Sequence, residues 1–377
     1  MKKIFLIRNV AADCYGGGET YQLKLAKLLK KSGFEPVILT SSKKLLEQAK
    51  ESEYKTLTPP YIENQNWSGV RNLLLPIYFL KLHSLEKWYE KTFKKYKPEV
   101  VNIQSRDDFI AATIAAKKFG IKVLWTDHMD FRSWVMENVK VPYKNLIGKW
   151  ILKCAEDVDH IVMISDCEKK FFDSIKKMDN VVVAKNGAID EKKKYEKIKI
   201  QKQSFVYIGR VVDYKGIGEL LEAFNMVKER YPESTLKIYG AGEIEKYRKM
   251  AGAGVTFYGE TAEPLKALSE NEIFILPSYK EGLSLSLLDA AMMEKVIIAS
   301  DVGGNPEVVE NNVTGLLVPA KNVKKLAEAM NKVLAEPGLR LKLAKNARKK
   351  YEEEFNFEEI FAKKMILLYN VMEEKNE

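Results

Sequence analysis

The sequence predicts an α/β protein of two domains, each a doubly wound parallel sheet, and three observations carry that expectation. At 377 residues, with 46% hydrophobic and 30% charged residues, the chain has room for two or three domains and the composition of an ordinary folded protein. Short runs rich in Val, Ile and Phe alternate with longer segments of helical period over most of its length. Strands that are apolar throughout and separated by helices belong to parallel sheets covered on both faces by right-handed βαβ crossovers. Finally, each half opens alike, with a strand, a turn bearing glycine and a helix. Such a composition excludes a mainly disordered, collagen-like or coiled-coil chain.

In chain order, the strands of the first half are KIFLIR from Lys3, PVILT from Pro36, EVVNIQ from Glu99, KVLWT from Lys122, HIVMIS from His160 and NVVVAK from Asn180. The second half repeats the rhythm with SFVYIG from Ser204, TLKIYG from Thr235, GVTFYG from Gly254, EIFILP from Glu272, KVIIAS from Lys295 and GLLV from Gly315. The break between halves falls in Asp190 to Gln203, DEKKKYEKIKIQKQ, charged enough for a linker or exposed crossover. The opening helices are expected from about Glu19, after Gly16 to Gly18, and from about Gly216, after Arg210 to Lys215. Ligands of doubly wound sheets bind outside the carboxyl ends of the strands, so two facing domains predict a cleft lined by both turns.

The N-terminus, MKKIFLIRNV, has only four apolar residues between its lysines and Arg8, too few for a signal peptide. The longest apolar stretch, Leu73 to Leu80, is eight residues long and contains Pro76, against the roughly 20 a membrane span needs. Cys14, Cys154 and Cys167 are odd in number, widely spaced and outside any CxxC arrangement, a pattern of neither a disulfide framework nor a zinc site. A cytoplasmic protein is expected.

Through Asp190 the chain carries 32 Lys and Arg against 23 Asp and Glu, and beyond it 30 against 29. A positive half beside a neutral one suggests an anionic partner, such as a phosphorylated substrate, nucleic acid or an acidic membrane face, with solvated helix faces as the plain alternative. The densest part, Lys81 to Lys97, interleaves lysines with Leu82, Leu85, Trp88, Tyr89, Phe93 and Tyr96 at spacings of three and four. An interfacial helix and a packed surface helix both give that pattern.

Several motifs point to chemistry. Gly16 to Gly18 lack the GxGxxG spacing; they form either a tight turn or bare backbone that admits an anion to a helix N-terminus. The segment GRVVDYKG, Gly209 to Gly216, places Arg210 and Lys215 in one strand-to-helix loop. There the guanidinium fork and the ammonium point charge can neutralise a diphosphate without a metal. In SYKEGLSLSLLDAA, Glu281 ends a strand, Gly282 to Ser284 make the turn, and a helix from about Leu285 carries Asp289. Its N-terminus would present N–H groups to phosphate or sugar oxygens, and the two carboxylates would accept from hydroxyls. His128, in VLWTDHMD, follows a first-half strand at the cleft end, unlike His83 and His160. Asp157 and Asp159 spell DxD but precede a strand, at the entry end of the sheet, and read as surface charges.

With these residues in hand, the chain resembles the retaining glycosyltransferases of family 4, which have the GT-B fold of two facing Rossmann-like domains. The resemblance rests on GGGET, TDHMD, HIVMIS, KNGAID, GRVVDYKG, EGLSLSLLDAA, ASDVGGNPEVV and GLLVP, in this order across nearly the whole chain. It implies an N-terminal acceptor domain over residues 1–190, a nucleotide-sugar donor domain over 191–356, and a last helix at about 357–377 that crosses back onto the first domain. By the same resemblance, Arg210 and Lys215 bind the donor diphosphate, Glu281 and the Gly282, Leu283, Ser284 and Leu285 backbone meet sugar and phosphate, and Asp289 holds the ribose. His128 and the Gly17 and Gly18 backbone approach the sugar and the acceptor. Family members usually have Glu at the position of Asp289, whose shorter side chain puts the ribose contact in question.

The implied reaction transfers a sugar from a nucleoside-diphosphate sugar to a glycan or lipid-linked acceptor, with retention, an α-linkage and no metal or other cofactor. It implies a role in surface polysaccharide or glycolipid synthesis and a location peripheral to the cytoplasmic membrane, with the basic N-terminal domain toward anionic lipid. Two alternatives stand beside it, a GT-B-fold nucleotide-sugar epimerase and a basic nucleic-acid-binding protein. No nucleic-acid module is recognisable, so nucleic acid is not expected as a partner.

Overall fold

The computed structural model describes residues 2–13, 16–62, 75–128 and 146–374. The chain divides into two compact units, one of residues 1–164, 168–184 and 364–377 and the other of residues 165–167 and 185–363. The first holds a seven-stranded sheet of β1 (Lys3–Ile7), β2 (Glu35–Leu39), β3 (Lys55–Leu57), β4 (Val100–Ile103), β5 (Lys122–Asp127), β6 (His160–Met163) and β7 (Val181–Val183), in the order β3-β2-β1-β4-β5-β6-β7. The second holds β8 (Gln201–Ile208), β9 (Thr235–Tyr239), β10 (Val255–Gly259), β11 (Asn271–Leu276), β12 (Val296–Ser300) and β13 (Leu316–Val318), in the order β10-β9-β8-β11-β12-β13. Every ladder is parallel.

The parallel pairing follows from side chains that are apolar on both faces. Ile4, Phe5, Leu6 and Ile7 of β1 are fully buried in succession, as are Ile297, Ile298 and Ala299 of β12. A strand with no polar face has to be covered twice, and helical crossovers supply the cover. In both sheets the strand order reverses once, between β1 and β4 and between β8 and β11. At such a reversal the two following loops diverge to opposite faces, leaving a crevice beyond the strand ends.

All twelve expected strands are present, and the structure adds β3, a three-residue edge strand whose KTL sequence offers no apolar run to recognise. The division between units falls at Ala184/Lys185, ahead of the expected break at Asp190. Main-chain pairing explains the difference: Ala188 N–H donates to Phe355 O at 3.1 Å and Phe357 N–H donates to Ala188 O at 2.9 Å, which ties this stretch to the second unit. Gly187 is buried under that crossing, where a Cβ would press on the Phe355 carbonyl. The C-terminal stretch likewise belongs to the second unit through Lys363 and to the first from Lys364, within the helix Ala362–Glu374. Residues 375–377 of the expected last helix lie outside the described residues, as do Cys14 and the Met129 and Asp130 of TDHMD.

The basic helix spans Leu75–Tyr96 and is a packed helix of the first unit. Tyr78, Leu82, Leu85, Tyr89 and Phe93 are buried in the core, and the Tyr78 and Tyr89 hydroxyls donate to Asp107 and Asp108, each at 2.6 Å. The apolar stripe that an interfacial reading would send into lipid is therefore spent on the core. Ile77 and Leu80 remain exposed beside the lysines. No helix among the described residues is long and apolar enough to cross a membrane. Cys154 and Cys167 are free thiols, and burial pushes Cys154 up to about 12.

The C-terminal helix is anchored to the first sheet by polar bonds as well as packing. Tyr369 is buried, and its hydroxyl accepts from Asn102 Nδ2 on β4 at 2.7 Å, while Asn102 Oδ1 accepts from Thr126 Oγ1 at 3.0 Å. Tyr369→Phe leaves the Asn102 amide buried without its acceptor, which costs about 1–3 kcal/mol. Denaturant unfolding of that variant is expected at a lower midpoint than wild type, and an unchanged midpoint contradicts this anchoring.

Candidate functional site

In the second unit, the loops after β8 and β11 meet at the reversal of strand order. Tyr279 N–H donates to Tyr214 O at 2.8 Å, joining the two loops through the main chain. Lys215 Nζ donates to Glu281 Oε1 at 2.6 Å, and Ser278 Oγ donates to the same oxygen at 2.6 Å. Both members of the ion pair are largely withdrawn from water, with side chains 13% and 8% exposed. Glycine makes this approach sterically possible. Gly216 has φ +71°, and a Cβ there would overlap the Pro277 carbonyl oxygen; Gly303, after β12, has φ +53°, and a Cβ would overlap the carbonyl oxygen of Glu281.

Beyond Glu281 the chain passes through Gly282 and Leu283 to Ser284, which precedes the helix Leu285–Met292 in extended backbone. The first N–H groups of that helix lack intrahelical acceptors and point toward the loop, a natural seat for an anion. Arg210 is exposed on the loop after β8, its guanidinium bonded to the Tyr214 hydroxyl. Three cations surround the Tyr214 ring: Arg210 at 5.5 Å from its centroid, Lys215 at 5.6 Å and Lys280 at 5.5 Å. Lys280 and Tyr214 are site residues that the motif reading passed over. Lys280 reads as an ordinary surface lysine until the fold brings its loop beside Tyr214.

Asp289 is half-buried on the helix Leu285–Met292, outside the Lys215–Glu281–Ser278 network. Its charge is felt by Tyr351, whose phenol is pushed up by burial and then by Asp190 and Asp289. The Tyr351 hydroxyl donates to Ala188 O at 2.9 Å.

The first unit builds a different surface at its own reversal. Arg8 follows β1, and its Nε donates to Glu19 Oε1 at 2.6 Å while Nη1 donates to the backbone oxygen of Gln104, after β4, at 2.9 Å. The helix at this point begins at Gly17, which is exposed. At Gly18, expected to offer bare backbone to a ligand, the space of a side chain is filled by Arg8, since a Cβ would overlap the guanidinium. The absence of a side chain is needed here for a protein contact. His128 follows β5; its Nε2 lies 3.3 Å from Gln104 Oε1, and its ring meets the Tyr21 ring edge-on at 4.6 Å. Desolvation, and then the Arg8 guanidinium, hold the imidazole well below its ordinary value, so His128 is neutral.

The structure thus brings Arg210, Lys215, Glu281 and the Gly282–Leu285 backbone into one site, sets Asp289 about one turn along the helix that leaves it, and places His128 with Gly17 and Gly18 in the other unit. Arg8 and Gln104 carried no motif signal, and Glu19 entered only as part of GGGET, with no role of its own. Of the DxD carboxylates, read as surface charges, Asp157 is exposed and Asp159 is half-buried: its Oδ2 accepts from Val123 N–H at 2.8 Å, and its Oδ1 lies 3.4 Å from Lys122 Nζ.

Comparison with known proteins gives a consistent picture. Residues 15–192 match the profile Glycosyltransferase Family 4, and residues 188–350 match Glycosyl transferases group 1. The chain is 24% identical to the capsular polysaccharide biosynthesis glycosyltransferase CapM of Staphylococcus aureus, with 93% of each chain covered. It is 32% identical over 181 residues, 47% of each chain, to the N,N'-diacetylbacillosaminyl-diphospho-undecaprenol alpha-1,3-N-acetylgalactosaminyltransferase of Campylobacter jejuni. Its fold is similar to that of Anabaena HepE, solved with UDP-glucose, at a TM-score of 0.78 and 16% identity over 98% of this chain and 100% of that one.

A neutral His128 has a thermodynamic consequence. Below about pH 6.5 the unfolded chain takes up a proton at this residue that the folded chain does not, so stability falls as pH is lowered through that range. Unfolding measured from pH 7.5 to 5 is expected to show a shallower loss of stability for His128→Gln than for wild type. Parallel profiles would contradict a neutral His128.

Proposed function

The chain belongs to the glycosyltransferases of group 1 and family 4, and we propose that it moves a sugar from a nucleoside-diphosphate sugar to a glycan or lipid-linked acceptor, with retention of configuration and an α-linkage. The observation that carries this reading is the Lys215–Glu281 pair set below a helix N-terminus, with Arg210 beside it. A diphosphate leaving group gains negative charge as the glycosidic bond breaks. Arg210, Lys215 and the N–H groups of the Gly282–Leu285 segment stabilise that charge in a prearranged setting, which lowers the barrier without a protein nucleophile. Two cations supply the charge a divalent ion would otherwise bring, so we propose a metal-independent reaction. Both hydrogen bonds to Glu281 fall on Oε1, which leaves Oε2 to accept from a sugar hydroxyl.

Asp289 is the proposed ribose contact, reached with a shorter side chain than the family's usual Glu. His128, being neutral, serves as a hydrogen-bonding group toward carbohydrate rather than as a cation. The name of the Campylobacter relative supports a lipid-linked acceptor, and that of the Staphylococcus relative a role in polysaccharide synthesis. Exposed Lys81, Lys91, Lys94 and Lys95, with Ile77 and Leu80, support attachment to an anionic membrane face on the cytoplasmic side.

The reading is tested with UDP-, GDP- and ADP-sugars and a short polyprenyl-diphosphate-linked sugar as acceptor. With α-linked donors an α-linked product is expected; a β-linked product from such a donor contradicts retention, and consumption of none of the donors contradicts the function. Lys215→Ala is expected to lower turnover about 10²–10³-fold with the circular dichroism spectrum unchanged. Wild-type turnover in that variant removes Lys215 from the site.

A further inference from the structure

Gln104 immediately follows β4, at the reversal of strand order in the first unit, and is fully buried. Its main chain is held on both sides: its N–H donates to Ile7 O at 2.8 Å, and its carbonyl accepts from Arg8 Nη1 at 2.9 Å. The side chain therefore has little freedom to turn away. Its Oε1 lies 3.3 Å from His128 Nε2, yet its amide nitrogen has no hydrogen-bond partner. Buried amides are nearly always satisfied, and an unmade donor in the interior destabilises the fold. Such an unmade donor needs an explanation, and a partner supplied by a bound ligand is one that chemistry can test.

We propose that Gln104 is a carbohydrate-binding residue that also orients His128: Oε1 accepts from the imidazole Nε2–H, and the unpaired Nε2 donates to a hydroxyl oxygen of the bound sugar. The proposal rests on the glycosyltransferase reading, in which His128 meets carbohydrate. An amide oxygen can only accept, so the one proton of a neutral imidazole has to sit on Nε2, which leaves Nδ1 as an acceptor. Sugar hydroxyls both donate and accept, and an imidazole acceptor beside an amide donor suits that chemistry. Arg8 completes the arrangement from behind. It is tied to Glu19, and its charge beside the ring opposes protonation of His128. If the amide were turned over, its nitrogen would face the ring and the imidazole proton would lie on Nδ1, so the tautomer separates the two arrangements.

Three measurements test the proposal. The chain has three histidines, so side-chain nitrogen NMR of histidine-labelled protein, with His128→Gln for assignment, reads the tautomer without any substrate. A neutral Nε2–H ring at pH 7 is expected; an Nδ1–H or charged ring overturns the proposal. Gln104→Met keeps the volume and removes both polar atoms, so in a His128→Phe background, where no imidazole N–H is left without its acceptor, the melting temperature is expected to equal or exceed that of the His128→Phe parent. A merely structural role predicts the opposite, and a lowered melting temperature overturns the proposal. With whichever UDP-, GDP- or ADP-sugar wild type consumes, Gln104→Met is expected to lose tenfold or more in kcat/KM while its affinity for the bare nucleoside diphosphate is unchanged. Unchanged kcat/KM, or parallel loss of nucleoside-diphosphate affinity, also overturns it. If wild type consumes no nucleotide sugar, the glycosyltransferase reading fails and the first two measurements alone decide the role of Gln104.

Discussion

The Lys215–Glu281 ion pair joins the two loops that part company where the second sheet reverses its strand order, and the geometry of the candidate donor site depends on it. Withdrawn from water, such a pair is costly to break from one side, since removal of one partner strands a buried charge at about 3–5 kcal/mol. Its placement also depends on backbone that only glycine tolerates. Gly216 releases the β8 loop toward Pro277, and Gly303 lets the β12 loop pass against the Glu281 carbonyl. Ser278 adds a second hydrogen bond to the same carboxylate oxygen, so the pair is oriented as well as paired. With Arg210 and Lys280 gathered about Tyr214, the loops concentrate positive charge at the mouth of a helix N-terminus.

The first unit uses the same topological position in the opposite electrical sense. Arg8, its counterpart cation, is consumed internally by Glu19 and the Gln104 carbonyl, and the histidine beside it is kept uncharged. What this surface offers is neutral hydrogen-bonding groups. The positive balance of the first half thus resides away from the strand ends, on lysines such as Lys81, Lys91 and Lys94 along the solvent face of the basic helix. The site cations sit instead in the half whose charges nearly cancel. Net charge by domain does not mark the candidate diphosphate site, because such a site needs a few directed cations and a helix terminus, whatever the remaining surface carries.

Both sheets were legible because strands buried on two faces leave uninterrupted apolar runs, and Arg210, Lys215 and Glu281 were legible because they follow such runs at loop spacing. Strand β3 was not, since three polar-flanked residues at a sheet edge look like coil. The boundary between units was displaced because it is set by Ala188 pairing with residues near Asn356, far along the chain, and no local composition records that. That the side-chain space at Gly18 is filled by Arg8 was not legible either, because the contact joins the end of β1 to the helix that follows it and forms only in the folded unit. Arg8, Glu19 and Gln104 are common polar residues whose importance comes from being brought together at one strand end, a property of the topology alone.

The most direct test of the account is a calorimetric titration of UDP into wild type and into Lys215→Gln, which retains a hydrogen-bond donor for Glu281 while removing the positive charge. Saturable one-site binding by wild type, weakened tenfold or more in the variant, a loss of about 1.4 kcal/mol or greater, is the predicted result. Equal affinity of the two proteins, or no binding of wild type to UDP or, in the same titration, to GDP or ADP, would contradict a diphosphate site at the reversal of the second sheet.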